Sequence, residues 1–211
     1  MKLYVSPGAC SLSPHIVFRE AGLNVEVEDV SLASKKTKSG DDFKAINPKG
    51  KVPTLRLDDG RVLTEGAAIV QYLADLAPAS NLAPKAGTFE RVRVQEWLNY
   101  VASEVHKGFS PLFYPTTPEQ TKQTTIANLS RAFDFLSTSL AEGPFLLGST
   151  FTVADAYLYT ILLWTKHFGG DLDLAKWPVL QGYVARITER PAVRATLDFE
   201  AELKKAGAAK S

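Results

Sequence analysis

The order of sequence patterns predicts a small α/β domain followed by an all-helical one. Short runs with period-two apolar alternation occur only before Pro78, interleaved with helical stretches. Beyond "PASNLAPKAG", residues 78–87, helical periodicity fills the chain. A length of 211 residues with 45% apolar side chains suffices for one large or two small cores. These features divide the chain into a domain over 1–80, a linker over 81–87, a helical domain over 88–203 and a flexible tail, "KKAGAAKS", over 204–211.

The elements follow in order. Lys2-Leu3-Tyr4-Val5 opens a strand. Pro14 has no N–H and is tolerated only in the first turn of a helix. The helix running through His15–Ala21 therefore begins just upstream, with Ser11 or Ser13 as N-cap and Gly22 as the residue that ends it. Val25 to Glu28 alternates as a half-buried strand does. Residues 31–51 are polar, with a short helix around Asp42–Ile46. "VPTLRLDDGRVLTEG" reads as a hairpin around a two-residue Asp59-Gly60 turn. "EGAAIVQYLADLA" is an amphipathic helix over 65–77 that places Ile69, Tyr72, Leu73 and Leu76 on one face. The first domain is thus β-α-β followed by β-β-α. Helical periodicity then covers 88–109, 119–141, 153–168, 177–189 and 192–204, without internal repeats.

Composition narrows the function classes. A formal net charge of +1 gives no global field for nucleic acid or an anionic membrane. No apolar run approaches the ~20 residues of a bilayer span. The absence of an apolar N-terminal signal region points to the cytoplasm. One cysteine allows no internal disulfide and fits a reducing compartment. His15, His106 and His167 are far apart, with no second cysteine, so no metal site is expected.

The chemistry-bearing residues start with that cysteine. Cys10 lies at the mouth of the first helix, where unpaired N–H groups and the macrodipole favour a thiolate. Val52-Pro53 is either a plain strand entry or a cis X–Pro bond. With the element order and the thiol, the second reading gives a thioredoxin-like arrangement. In it Val52 offers its backbone to a peptide-like ligand lying as an added strand. Cys10-Ser11-Leu12-Ser13 lacks a second cysteine, so a disulfide on Cys10 needs an external thiol to resolve it. In "TEGAA", Gly66 and Ala67 open a helix whose free N–H groups suit a carboxylate. Glu65 either accepts from an ammonium group or simply complements the helix dipole. Asn99, Ser103, His106 and Ser110 form a polar stripe at helical spacing, either a solvated face or a cleft wall. Trp164 and His167, at i and i+3, close such a cleft or pack at its rim. Thr152 and Asp155 in "FTVADAY" make a capping box, a structural role.

"SPGACSLSPHIVFREAG", "NPKGKVPTL", "LTEGAAIVQYLAD", "EWLNYVASEVHKGFSPLF" and "FTVADAYLYT" together resemble the glutathione S-transferases, and within them the bacterial beta class, nearly end to end. The resemblance implies a thioredoxin-like N-terminal domain, an all-α C-terminal domain, a homodimer and glutathione as cosubstrate. By position, Cys10 is similar to the cysteine that contacts the glutathione sulfur and can form a mixed disulfide with it. Val52, before Pro53, would pair with the cysteinyl part, and Glu65 and Gly66 would hold the γ-glutamyl end. Lys35 would reach the glycyl carboxylate. Asn99 and Ser103 would line the γ-glutamyl site from a second subunit. His106 and Lys107 would stand beside the sulfur and the glycyl carboxylate, with His106 as donor or base. Trp164 and His167 would wall the electrophile pocket. Gly66 stands where many relatives place Ser, which leaves only the backbone donor there. The implied reaction is conjugation of the glutathione thiolate to hydrophobic electrophiles, with disulfide exchange or peroxidase activity through Cys10. The alternatives are a glutathione-dependent thiol–disulfide oxidoreductase and a non-catalytic binder of apolar ligands.

Overall fold

The computed structural model describes residues 1–208. The chain forms two compact units, one of Met1–Ala83 with the chain from Glu189 onward, the other of Pro84–Thr188. The last helix thus belongs to the first unit and not to the helical domain that the pattern predicts over 88–203. Periodicity reports that a helix has an apolar face, not which core that face meets. That helix also continues to Ala208 through part of the expected tail. Residues 209–211 of that tail lie outside the described residues.

In the first unit, β1 (Lys2–Val5), β2 (Glu26–Ser31), β3 (Lys36–Thr37), β4 (Thr54–Arg56) and β5 (Val62–Thr64) form one sheet ordered β3-β2-β1-β4-β5. Only β1 and β2 are parallel, and α1 (Leu12–Glu20) is the crossover that such a pair needs. β3 is too short to leave a pattern in the sequence. α1 ends where expected: Gly22 adopts φ 65°, its N–H reaches Arg19 O at 3.1 Å, and the Leu23 N–H reaches Phe18 O at 2.9 Å. Ser11 is the N-cap residue, but neither serine's side chain caps the first turn. Ser11 Oγ instead bonds the Ser6 backbone in both directions, and Ser13 Oγ donates to Cys10 O at 3.0 Å. The hairpin turn also differs, because Leu57 pairs with Arg61 and a three-residue loop, Asp58–Gly60, closes with Gly60 at φ 87°.

α2 (Phe43–Ile46) is capped by Asp42, whose carboxylate accepts the Lys44 N–H at 2.9 Å. α3 (Gly66–Leu76) buries Ile69, Val70, Leu73 and Ala74. Leu76, expected on that face, is 43% exposed, because the buried stripe lies to the Val70 side of the one predicted.

The second unit contains α4 (Phe89–Tyr100), α5 (Glu119–Ser139), α6 (Val153–Leu162), α7 (Thr165–Phe168) and α8 (Pro178–Thr188). α6 is buried along its whole length and is the unit's central element. Its first turn is fixed by the expected capping box: Asp155 accepts the Thr152 N–H and hydroxyl, both at 2.9 Å. The same carboxylate takes the Leu146 N–H and the Tyr183 hydroxyl. The single helix expected over 88–109 changes winding twice, with a π turn at Val101–His106 and a 3-10 turn at Lys107–Phe113. The last helix of the chain, α9 (Pro191–Ala208), lies in the first unit and packs on α1.

Candidate active site

Cys10 is half-buried in the loop between β1 and α1, beside an apolar cluster of Tyr4, Val30, Phe43 and Val52 that also packs Ala9. Its Sγ donates to Val52 O at 3.3 Å, and the Val52–Pro53 bond is cis. Burial pushes the thiol up to about 12, and the Glu65 carboxylate adds to the rise. The N–H groups of Cys10 and Ser11 and the charge of Lys51 pull the other way without prevailing. The helix mouth therefore does not make this sulfur a thiolate, as its position alone predicted. The loss of hydration on burial outweighs the local N–H groups. Ser11 is fully buried and occupied by Ser6, so its hydroxyl is unavailable to a ligand.

The proline loop is held from below by Asn47, which no pattern in the sequence singled out. Its side-chain amide donates to Lys51 O and Thr54 Oγ1, both at 2.9 Å, and its oxygen accepts the Lys49 N–H at 3.1 Å. The usable signal was an Asn before Pro between a short helix and a strand. The clamp leaves the Val52 N–H without a hydrogen bond among the described residues, a donor beside the thiol.

Gly66 packs against the same proline: a β-carbon there would lie 3.7 Å from Pro53 Cγ. Its N–H belongs to the first turn of α3, where backbone donors have no intrahelical acceptor. Glu65, immediately before, is held at φ 70°, a conformation that a β-carbon disfavours. Its exposed carboxylate pairs with Lys49 Nζ at 2.6 Å. Lys35, also in the left-handed region at φ 56°, donates through Nζ to Gly50 O at 3.0 Å. Cys10, Val52, Pro53, Glu65, Gly66 and Lys35 thus gather on one unit around one loop. A further anchor comes from α9. Glu200 accepts the Gly8 N–H at 3.0 Å and the buried His15 Nδ1 at 3.1 Å, tying down the segment before Cys10.

In the second unit, His106 ends the π turn. Its Nδ1 lies 2.6 Å from Tyr157 Oη, and its ring meets Trp164 edge-on with centroids 4.9 Å apart. Trp164 is nearly buried and is also flanked by Phe109 and Phe113. His167, three residues on, is exposed and its ring joins no aromatic contact among the described residues. Trp164 caps α7 and the His167 N–H reaches its carbonyl at 2.9 Å, so the two share one turn, but only the Trp164 ring packs against aromatic neighbours. Asn99, Ser103 and Lys107 are exposed. Ser103 Oγ donates to Glu104 at 3.3 Å. Because the π turn interrupts the α spacing, Asn99, Ser103 and His106 do not form the straight stripe that spacing predicts.

The family profile for the glutathione S-transferase N-terminal domain matches residues 8–76, and that for the C-terminal domain matches 100–191. Glutathione S-transferase GstA of Escherichia coli O157:H7 is 44% identical over 95% of this chain and 98% of its own. The ternary complex of BphK, a bacterial enzyme of this kind, has a TM-score of 0.93 at 51% identity, covering 95% of this chain and all of the other. A sphingomonad glutathione S-transferase complexed with glutathione has a TM-score of 0.92 at 45% identity, covering 95% and 99%. A bacterial beta class transferase from Sphingomonas chungbukensis has a TM-score of 0.91 at 44% identity, covering 95% and 98%. With the two-unit architecture and the thiol at the proline loop, these likenesses establish that the chain belongs to the glutathione S-transferases.

Proposed function

We propose that this transferase is of the beta class and acts in the cytoplasm as a homodimer, joining the sulfur of glutathione to apolar electrophiles. The observation that carries this reading is the Cys10 thiol bonded to the Val52 carbonyl on the cis-proline loop. A peptide thiol pairing with Val52 as an added strand would bring its own sulfur to Cys10. The donor set suits a peptide carrying two carboxylates. The first-turn N–H groups of α3, with Gly66 and Glu65, would take the γ-glutamyl end, and Lys35 and Lys107 the glycyl carboxylate. Asn99 and Ser103 of a partner subunit would complete the γ-glutamyl site. Exposed Phe89 and Val92 on α4 give apolar surface for such a partner. Trp164 and His167 would wall the electrophile pocket, and the phenylalanines packed on Trp164 support its apolar character.

In conjugation the glutathione thiolate forms the new C–S bond and the leaving group departs with its electron pair. The Cys10 thiol, kept neutral, would donate a hydrogen bond to that thiolate rather than compete as a nucleophile. His106 would stand beside the same sulfur. Disulfide exchange remains open to the scaffold because Cys10 lies at a ligand-facing helix mouth. After losing its proton to solvent, its sulfur would attack the glutathione sulfur of a mixed disulfide and release the other half as a thiol, and a second glutathione would then free Cys10 by leaving as glutathione disulfide. Assays with a nitroaryl chloride and with a glutathione mixed disulfide, on the wild type and Cys10→Ala, test both. Conjugation within a few-fold of wild type and loss of exchange are expected. Turnover in neither assay by the wild type would refute the proposal, and a monomer in light scattering would refute its dimer.

A further inference from the structure

We infer that Tyr157 is a positioning residue that fixes His106 as the Nε2–H tautomer, so that His106 works as a hydrogen-bond donor and not as a general base. The inference rests on the reading above, in which His106 serves the glutathione sulfur. A phenol hydroxyl and an imidazole nitrogen 2.6 Å apart share one proton between two heavy atoms. A neutral phenol is the stronger acid of the two, so it donates and Nδ1 accepts. The ring proton then resides on Nε2, because the bond at one imidazole nitrogen decides which form the other takes.

The surroundings hold this arrangement in place. Tyr157 is 4% exposed and sits two residues beyond Asp155, on the helical turn that the capping box fixes. The Tyr157 and His106 rings meet at 84°, so the hydroxyl reaches the imidazole edge rather than its face. Trp164 closes on the imidazole from another side at 76°, limiting rotation about its side-chain bonds. The π turn ends at His106, a winding that changes which way a residue projects compared with an unbroken α-helix. The box in "FTVADAY", structural in itself, thereby gains a consequence for the chemistry. It holds the phenol that orients the histidine.

A donor and a base make opposite demands on substitution. An asparagine amide replaces an N–H donor but accepts no proton in the pH range of an assay. Tyr157→Phe is therefore expected to lower kcat about 10-fold with the KM for glutathione within two-fold. His106→Asn should lose less activity than His106→Phe. In the His106→Phe background, Tyr157→Phe should cost nothing more, since its effect runs through the imidazole. A direct readout is the two-bond 1H–15N correlation spectrum of the imidazoles, with His106 identified by its loss in His106→Asn. The wild type should show the Nε2–H pattern, and Tyr157→Phe a mixture of both tautomers. An Nδ1–H pattern in the wild type, or His106→Asn as inactive as His106→Phe, would overturn the inference. Those results leave the transferase reading standing. Absence of any glutathione-dependent turnover would end that reading while the spectrum still decided the tautomer.

Discussion

Cys10 should be slow to alkylate in the ligand-free protein, although it stands at a helix N-terminus. It is the only cysteine in the chain, so iodoacetamide incorporation followed by intact mass reports on this sulfur alone. With the thiol pushed up to about 12, roughly one molecule in 10,000 is ionised at pH 8. A free thiol near ~8.5 is ionised in about a quarter of molecules. The deficit is roughly 2,000-fold. A more basic thiolate is also a better nucleophile, and a Brønsted slope of ~0.45 returns about 40-fold over this interval. The net expectation is alkylation about 50-fold slower than free cysteine at pH 8, rising about tenfold per pH unit with no plateau by pH 10. Glu65→Gln, which removes the charge that adds to the effect of burial, should accelerate the reaction a few-fold at pH 8. A plateau with a midpoint near ~8.5 or below would refute the reasoning, because the helix mouth would then outweigh the apolar packing.

The same shift makes stability fall in alkali. The thiol moves from 9.0 in its ordinary setting to about 12, so the folded chain binds the extra proton between those values and loses stability as pH rises through them. Chemical denaturation should show the gap between wild type and Cys10→Ser shrinking by up to about 1.4 kcal/mol per pH unit above pH 9. Glu65→Gly relieves the left-handed backbone at φ 70° and should hold or raise thermal stability, where an ordinary exposed Glu→Gly change costs about 1 kcal/mol. Its glutathione affinity by calorimetry should nevertheless fall. Asn47→Ala removes three loop hydrogen bonds from a nearly buried amide and should cost about 2–3 kcal/mol in denaturant melts. Asp155→Ala leaves the buried Leu146, Thr152 and Tyr183 donors without their acceptor and should cost about 3–5 kcal/mol, read in the same way.

The elements that were legible are those whose signals are local. Gly22 ends α1 because only its own φ matters there, and Thr152 with Asp155 caps α6 through contacts three residues apart. Pro53 could be weighed as cis because the thiol, the strand order and the proline occur together in the sequence. What escaped depends on partners distant in sequence. The state of Cys10 is set by its burial in the fold, with Glu65 adding to the effect, and Gly8 is held by Glu200, 192 residues away. Periodicity also assumes one winding. It therefore missed the π turn that ends at His106 and the break at Leu163 that starts a new helix at Trp164.

A neutral Cys10 would answer an electrostatic problem that the proposed reaction sets. Two thiolates about 4 Å apart repel by roughly 4 kcal/mol at an effective dielectric of 20, enough to suppress ionisation of one of them about a thousandfold. A protein that needs the glutathione sulfur ionised gains by keeping its own sulfur protonated, and apolar packing around Cys10 does this before any ligand arrives. Loss of exchange with survival of conjugation in Cys10→Ala is then the natural outcome. On the proposed reading the cysteine would give the thiolate a hydrogen bond that other donors can replace, whereas it is the chain's only cysteine and so its only sulfur able to form a mixed disulfide.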